Sequence, residues 1–246
     1  MNGKCLNCNT TTENNFCSVC GQKTSTHRFS LKHFILHDFI HGVFHLDKGF
    51  LFTVKELFIR PGHSTREYIQ GKRVKHFNYF TLLLIIIAVT HFIGSYEKVK
   101  MIDIVENKKN FEGFTKVTKE YAKLIALSWV PFYAFASYIL FKKSKQNYSE
   151  HLVQTMYMIA GILMINYIFP IVTIFCSNIK ALQYVSVFTE LLKLGYFFWF
   201  YYQYFSAFNY KKVDLIIRCI VIVCIILFIT GIIAKVVNKI GLMYFH

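Results

Sequence analysis

A chain of 246 residues that is 54% hydrophobic and 18% aromatic is somewhat more apolar than the average soluble domain, and the excess is concentrated in stretches of about 20 residues, the length that crosses a bilayer core. The net charge of +15 would suit nucleic acid, but residues 1–76 hold 11 Lys/Arg against 5 Asp/Glu, and most other basic residues fall in loops between apolar runs. That distribution argues against a nucleic-acid partner and for a charge bias toward one face of a membrane.

The chain begins with Cys5-x-x-Cys8, eight residues, then Cys17-x-x-Cys20-Gly21. Two such pairs suit one tetrahedral Cys₄ zinc site, with Cys5, Cys8, Cys17 and Cys20 as ligands and Zn as the cofactor. A redox dithiol or a pair of disulfides are the competing uses. Thr10 to Asn15 is a polar run between the knuckles, and Gly21 allows the positive φ of a tight knuckle turn. Phe16 and Val19 offer only a small apolar cover. A segment this short cannot fold by burial alone, so metal would supply most of its folding free energy. The expected head is 1–26. Ribbons of this kind bind protein, bind nucleic acid, or only staple a terminus.

Residues 27–76 read as an amphipathic juxtamembrane segment. Leu31, Phe34, Ile35, Phe39, Val43 and Leu46 recur at helical spacing. Arg60-Pro61-Gly62 predicts a helix stop. His33, His37, His41 and His45 recur every four residues, but each step drifts about 40° around a helix, so the four cannot converge on one ion. Directly before the first apolar run stand Arg66, Tyr68, Lys72, Arg73 and Lys75. Basic side chains here are expected to meet anionic lipid headgroups and to mark the cytoplasmic face.

From Phe77 onward five spans are expected: 77–95, 121–141, 152–176, 183–208 and 215–234. Pro170 is expected to kink or shorten the third. Glu190 and Lys193 lie inside the fourth, where an i, i+3 pairing would neutralise them. Cytoplasmic loops would carry Lys142, Lys143 and Lys145, and Lys211 and Lys212, which puts the N-terminus inside. A reducing cytoplasm keeps the head thiols available for metal. The predicted fold is an all-α integral membrane protein, with about five transmembrane helices over 77–246, amphipathic interfacial helices before them, and the small zinc-ribbon-like head.

No metalloprotease, nucleophile-elbow or phosphate-loop motif is present. The Cys pairs, Gln22-Lys23, Arg28, Asp47-Lys48-Gly49-Phe50 with Thr53, Arg60-Pro61-Gly62, Tyr68-Ile69-x-Gly71-Lys72-Arg73 and Glu150-His151-Leu152 together resemble a bacterial domain-of-unknown-function family of polytopic membrane proteins. Where that family tends to place a proline at the start of its first span, this chain has Asn78-Tyr79. The resemblance implies membrane residence and zinc binding, and it brings no activity; the bacterial inner membrane is the expected location. The expected function is non-enzymatic: a cytosolic zinc head that serves a protein partner by recruitment, sensing or scaffolding, with membrane lipids around the body. A small-molecule or lipid transporter is the alternative. Against it stand the odd span count and the lack of an internal repeat, although an oligomer would supply a pathway that a monomer lacks. An enzyme acting on lipid headgroups through His63, Arg66, Lys72 and Arg73 ranks third, because basic residues bind phosphate without performing chemistry.

Overall fold

The computed structural model describes residues 3–26, 28–31, 49–104 and 112–244. The His33, His37, His41 and His45 series and most of the amphipathic stretch before Gly49 lie outside the described residues. Two short strands, β1 (Gly3–Lys4) and β2 (Thr11–Thr12), pair antiparallel in the head. The body is helical: α1 (Gly49–Ile59), α2 (Pro61–Ile69), α3 (Tyr79–Gly94), α4 (Glu112–Leu140), α5 (Tyr148–Asn166), α6 (Ile168–Phe175), α7 (Ile179–Phe205) and α8 (Lys212–Tyr244).

Helix α5 is the core. Every residue from Ser149 to Gly161 is buried, and α1, α2, α3, α4 and α7 all pack on it. Asparagines start three of the helices. Asn78 accepts from the Phe80 and Thr81 amides, Asn178 accepts from Ala181, and Asn147 forms a capping box with Glu150. Each side chain satisfies a backbone donor that the first turn leaves open. Asn78, the departure from the resembling family, is therefore itself a helix start.

The expected stop at Arg60 is present, but the chain re-enters helix at once. Pro61 fits a first helical position because its missing N–H is needed by no partner there. Gly62 lets α2 touch α7: a Cβ there would strike the backbone at Phe200 and Tyr204. The run expected as the third span is two helices, α5 and α6, divided at Tyr167. Pro170 has no N–H to offer the carbonyl of Asn166, which is where α5 ends. Helix α4 starts earlier than the second expected span, at Glu112, and bends at Tyr121, where φ is −116° and ψ is 24°.

Two helical runs, Tyr148–Phe175 and Lys212–Tyr244, are long and apolar enough to cross a membrane. The apolar segments Tyr79–Gly94 and Leu127–Leu140 are shorter. At 16 residues, α3 reaches about 24 Å against a bilayer core of roughly 30 Å. Helix α7 is long, and the Glu190–Lys193 pair, with Nζ 2.6 Å from Oε1, lies within it.

Candidate metal centre

The head is built from one turn used twice. Cys5 donates its amide to Thr10 O at 2.9 Å, and Asn9 donates back to Cys5 O at 2.9 Å. Twelve positions later, Cys17 donates to Gln22 O at 2.8 Å, and Gly21 donates to Cys17 O at 2.8 Å. The fourth residue after each leading cysteine is left-handed, Asn9 at φ 61° and Gly21 at φ 72°. Asn and Gly are the residues that adopt this conformation most readily. Pairing of β1 with β2, and a bridge from Phe16 to Lys23, bring the knuckles together.

The four sulfurs lie within 4.8 Å of one another. Cys5 and Cys20 Sγ are 3.5 Å apart, as are Cys8 and Cys17 Sγ. A tetrahedral ion with metal–sulfur bonds of about 2.3 Å needs sulfurs roughly 3.8 Å apart, so the donors fit one metal. All four cysteines are free. The environments of the thiols differ. Burial pushes Cys5 up to about 11. The Thr10 side chain, then its amide, hold Cys8 down at about 6. The Gln22 amide and the Asn7 side chain lower Cys20. A metal ion binds thiolates, so its uptake at neutral pH must expel the Cys5 proton.

The head is seated on the end of the bundle that holds the α5 start. Leu6 lies against Gly71, whose φ is 109°. Gln22 is 4% exposed, and its Oε1 accepts the Arg73 amide at 3.2 Å. Past the head, Arg28 grips Glu150 with Nε at 2.6 Å and Nη2 at 2.8 Å, and the same Nη2 donates to Lys145 O at 2.8 Å. Asn147 Nδ2 donates to Phe29 O at 2.8 Å. A cleft of about 290 Å³ remains beneath the head, lined in part by Leu6, Arg28, Gly71, Arg73, Lys145 and Glu150.

A family model matches the chain beyond the head. Described as a protein of unknown function (DUF3667), it covers residues 47–90, which are α1, α2 and most of α3. The match supports a domain-of-unknown-function family, and the cysteine cluster fits a zinc-ribbon-like head. No curated protein and no solved structure matches the chain.

The basic residues expected to flank a membrane do not form one surface. Arg66 donates to the carbonyls of Gln203 and Tyr204 at 2.8 Å each, satisfying the C-terminal end of α7. Tyr68 is 5% exposed, within an aromatic group of Phe29, Tyr79 and Tyr157. Arg73 lies over the Phe29 ring at 4.1 Å. Lys72 sits 3.6 Å from Glu67, and Lys75 is exposed. Beside them His76 Nε2 meets Ser64 Oγ at 2.9 Å, and burial pushes the imidazole down to about 4. The head is seated through Gln22, Arg28 and Glu150, which the sequence offered only as parts of the resembling motifs, and through Asn147, whose Asn147-x-x-Glu150 spacing is that of a capping box.

Proposed function

We propose that this is a non-enzymatic, multi-pass protein of the bacterial inner membrane, whose N-terminal head binds one zinc ion on the cytoplasmic side and presents a docking platform for a protein partner. The observation that carries this reading is the Cys₄ cluster seated on the end of a helical bundle. Zinc would fix two knuckles that cannot hold themselves, and the Leu6, Gln22 and Arg28 contacts would fix the head to the body. The surface supports a lipid environment. Ile216, Ile217, Ile220, Leu227, Phe228, Ile232, Val236 and Ile240 of α8 are exposed, as are Val187, Phe188 and Leu191 of α7. An apolar surface that extensive is covered in a working protein. Lys75 is the basic side chain of its segment best placed to meet an anionic headgroup, while Arg66, Tyr68 and Arg73 hold the packing under the head.

The test is metal analysis of the purified, reduced protein joined to partner recovery. About one zinc per chain is expected. Cys17→Ser with Cys20→Ser should abolish metal binding and partner capture while the protein still inserts. A reduced protein without zinc would remove the metal assignment. Unchanged partner recovery from the double variant would remove the docking role.

A further inference from the structure

The bundle core carries a polar layer that neither the head nor the apolar surface uses. It consists of Ser137 on α4, His151, Gln154 and Thr155 on α5, and Tyr201 on α7, each 0% exposed. Ser137 Oγ lies 2.9 Å from His151 Nδ1 and 3.5 Å from Gln154 Oε1. The antiparallel packing of α5 and α7 brings the other two residues level. His151 stacks on Phe205 with ring centroids 6.0 Å apart, and further along Gly161 abuts Tyr196. Four residues before Phe205 on α7 is Tyr201, and four residues after His151 on α5 is Thr155.

His151 Nε2, Gln154 Nε2, Thr155 Oγ1 and Tyr201 Oη have no hydrogen-bond partner among the described residues. A buried polar atom left unmatched costs more than a typical hydrogen bond contributes, so a group of them within one helical turn calls for a ligand. Its chemistry follows from the donors. Ser137 Oγ can donate to or accept from His151 Nδ1, so Nε2 carries either the lone pair or the ring proton. Gln154 Nε2 offers N–H, and the hydroxyls of Thr155 and Tyr201 both donate and accept. Water, which donates and accepts, matches each of these groups and either form of Nε2.

We infer that the crossing of α4, α5 and α7 is a binding site for ordered water that hydrates His151. The imidazole is otherwise walled by rings, with Phe205 against it and the Tyr138 edge 5.7 Å away. Water gives Nε2 the proton donor and acceptor that those walls deny. An ionisable side chain hydrated inside a membrane bundle is a working position by default. The site does not depend on the metal head.

Two measurements test it. An experimental map at high resolution is expected to show ordered density within hydrogen-bonding distance of His151 Nε2. Tyr201→Phe and Thr155→Val each keep the side chain's shape and remove a hydroxyl. With water bound, each should lower the Tm of the detergent-solubilised protein by about 2–4 °C. A dry layer predicts the other sign, because deleting an unmatched hydroxyl leaves Tm unchanged or raises it. An unchanged or raised Tm in both variants, or a map with no density at Nε2, overturns the site.

Discussion

At Gly71 one backbone angle joins the head to the body. Its φ of 109° is open to glycine and strained for other residues, and a Cβ there would lie 2.6 Å from Leu6 Cδ1. Gly71→Ala therefore meets two costs together, backbone strain and loss of the seat for Leu6. Destabilisation of about 1–3 kcal/mol is expected. The metal ligands are untouched, so the variant should keep its metal while the head is cut faster in limited proteolysis. Equal cleavage rates for the variant and the parent protein would mean that the Leu6 contact does not hold the head. The two left-handed knuckle residues, Asn9 and Gly21, follow similar logic within the head itself. Only Gly21 was foreseeable from its residue type beside a CxxC, since Asn takes that conformation in a small share of its occurrences.

Helix α5 shows what one helix start can organise. Glu150 serves three donors: Arg28 Nε, Arg28 Nη2 and the Asn147 amide, the last at 2.8 Å. Its side chain is 6% exposed, whereas the Arg28 side chain is 59% exposed, so solvent screens the cation and weakens the Coulomb part of the pair. Most of the effect then lies in the capping box and in hydrogen bonds to a buried carboxylate. Glu150→Gln keeps the shape and removes the charge. A loss of about 1–3 kcal/mol is expected, read as a lower denaturation midpoint, together with release of the segment around Arg28 in hydrogen exchange. Glu150→Ala should cost more, and a stability equal to the parent's would sink the claim. Local signals such as Asn147-x-x-Glu150, Arg60-Pro61 and Pro170 could be read from the sequence because each acts within one helical turn. The α5–α6 break and the Glu190–Lys193 pair were legible for that reason, and the metal-ligand spacing was legible because each CxxC knuckle closes within one tight turn. The seating of Gln22 on Arg73, of Arg28 on Glu150 and of Arg66 on the end of α7 was not, because each joins residues more than 50 positions apart. Composition made Arg66 and Arg73 look like surface anchors. Packing turned both toward carbonyls and aromatic rings, which a pattern of charges along the chain cannot show.

For the whole molecule, length decides how much of each helix a bilayer could cover. Helix α8 has 33 residues and α4 has 29, which is about 50 Å and 43 Å of helix against a hydrocarbon core of roughly 30 Å. The two lie along each other and are fixed at both ends. Near the head, Arg218 Nη1 donates to Leu140 O and Lys143 approaches Asp214 at 3.6 Å. At the other end Gly241 abuts Gly113, and Phe114 donates its amide to Asn238 Oδ1 at 2.8 Å. The far end is polar, with Glu112, Lys116, Lys235 and Lys239, and the bend at Tyr121 falls just inside it. A bilayer wrapped around the apolar middle would leave this end projecting on the face opposite the head. Lys212 and Lys239 are both exposed on α8 and stand about 40 Å apart along it. The check uses Lys212→Cys and Lys239→Cys, each placed in a protein with Cys176 and Cys224 changed to serine, with the label read by mass spectrometry on the peptide that carries the new cysteine, apart from the head thiols. An impermeant maleimide should label position 212 only from the cytoplasmic side and position 239 only from the other. Labelling of both from one side would mean that α8 does not cross. Labelling of position 212 from outside the cell would invert the topology and move the cysteine head out of the reducing compartment.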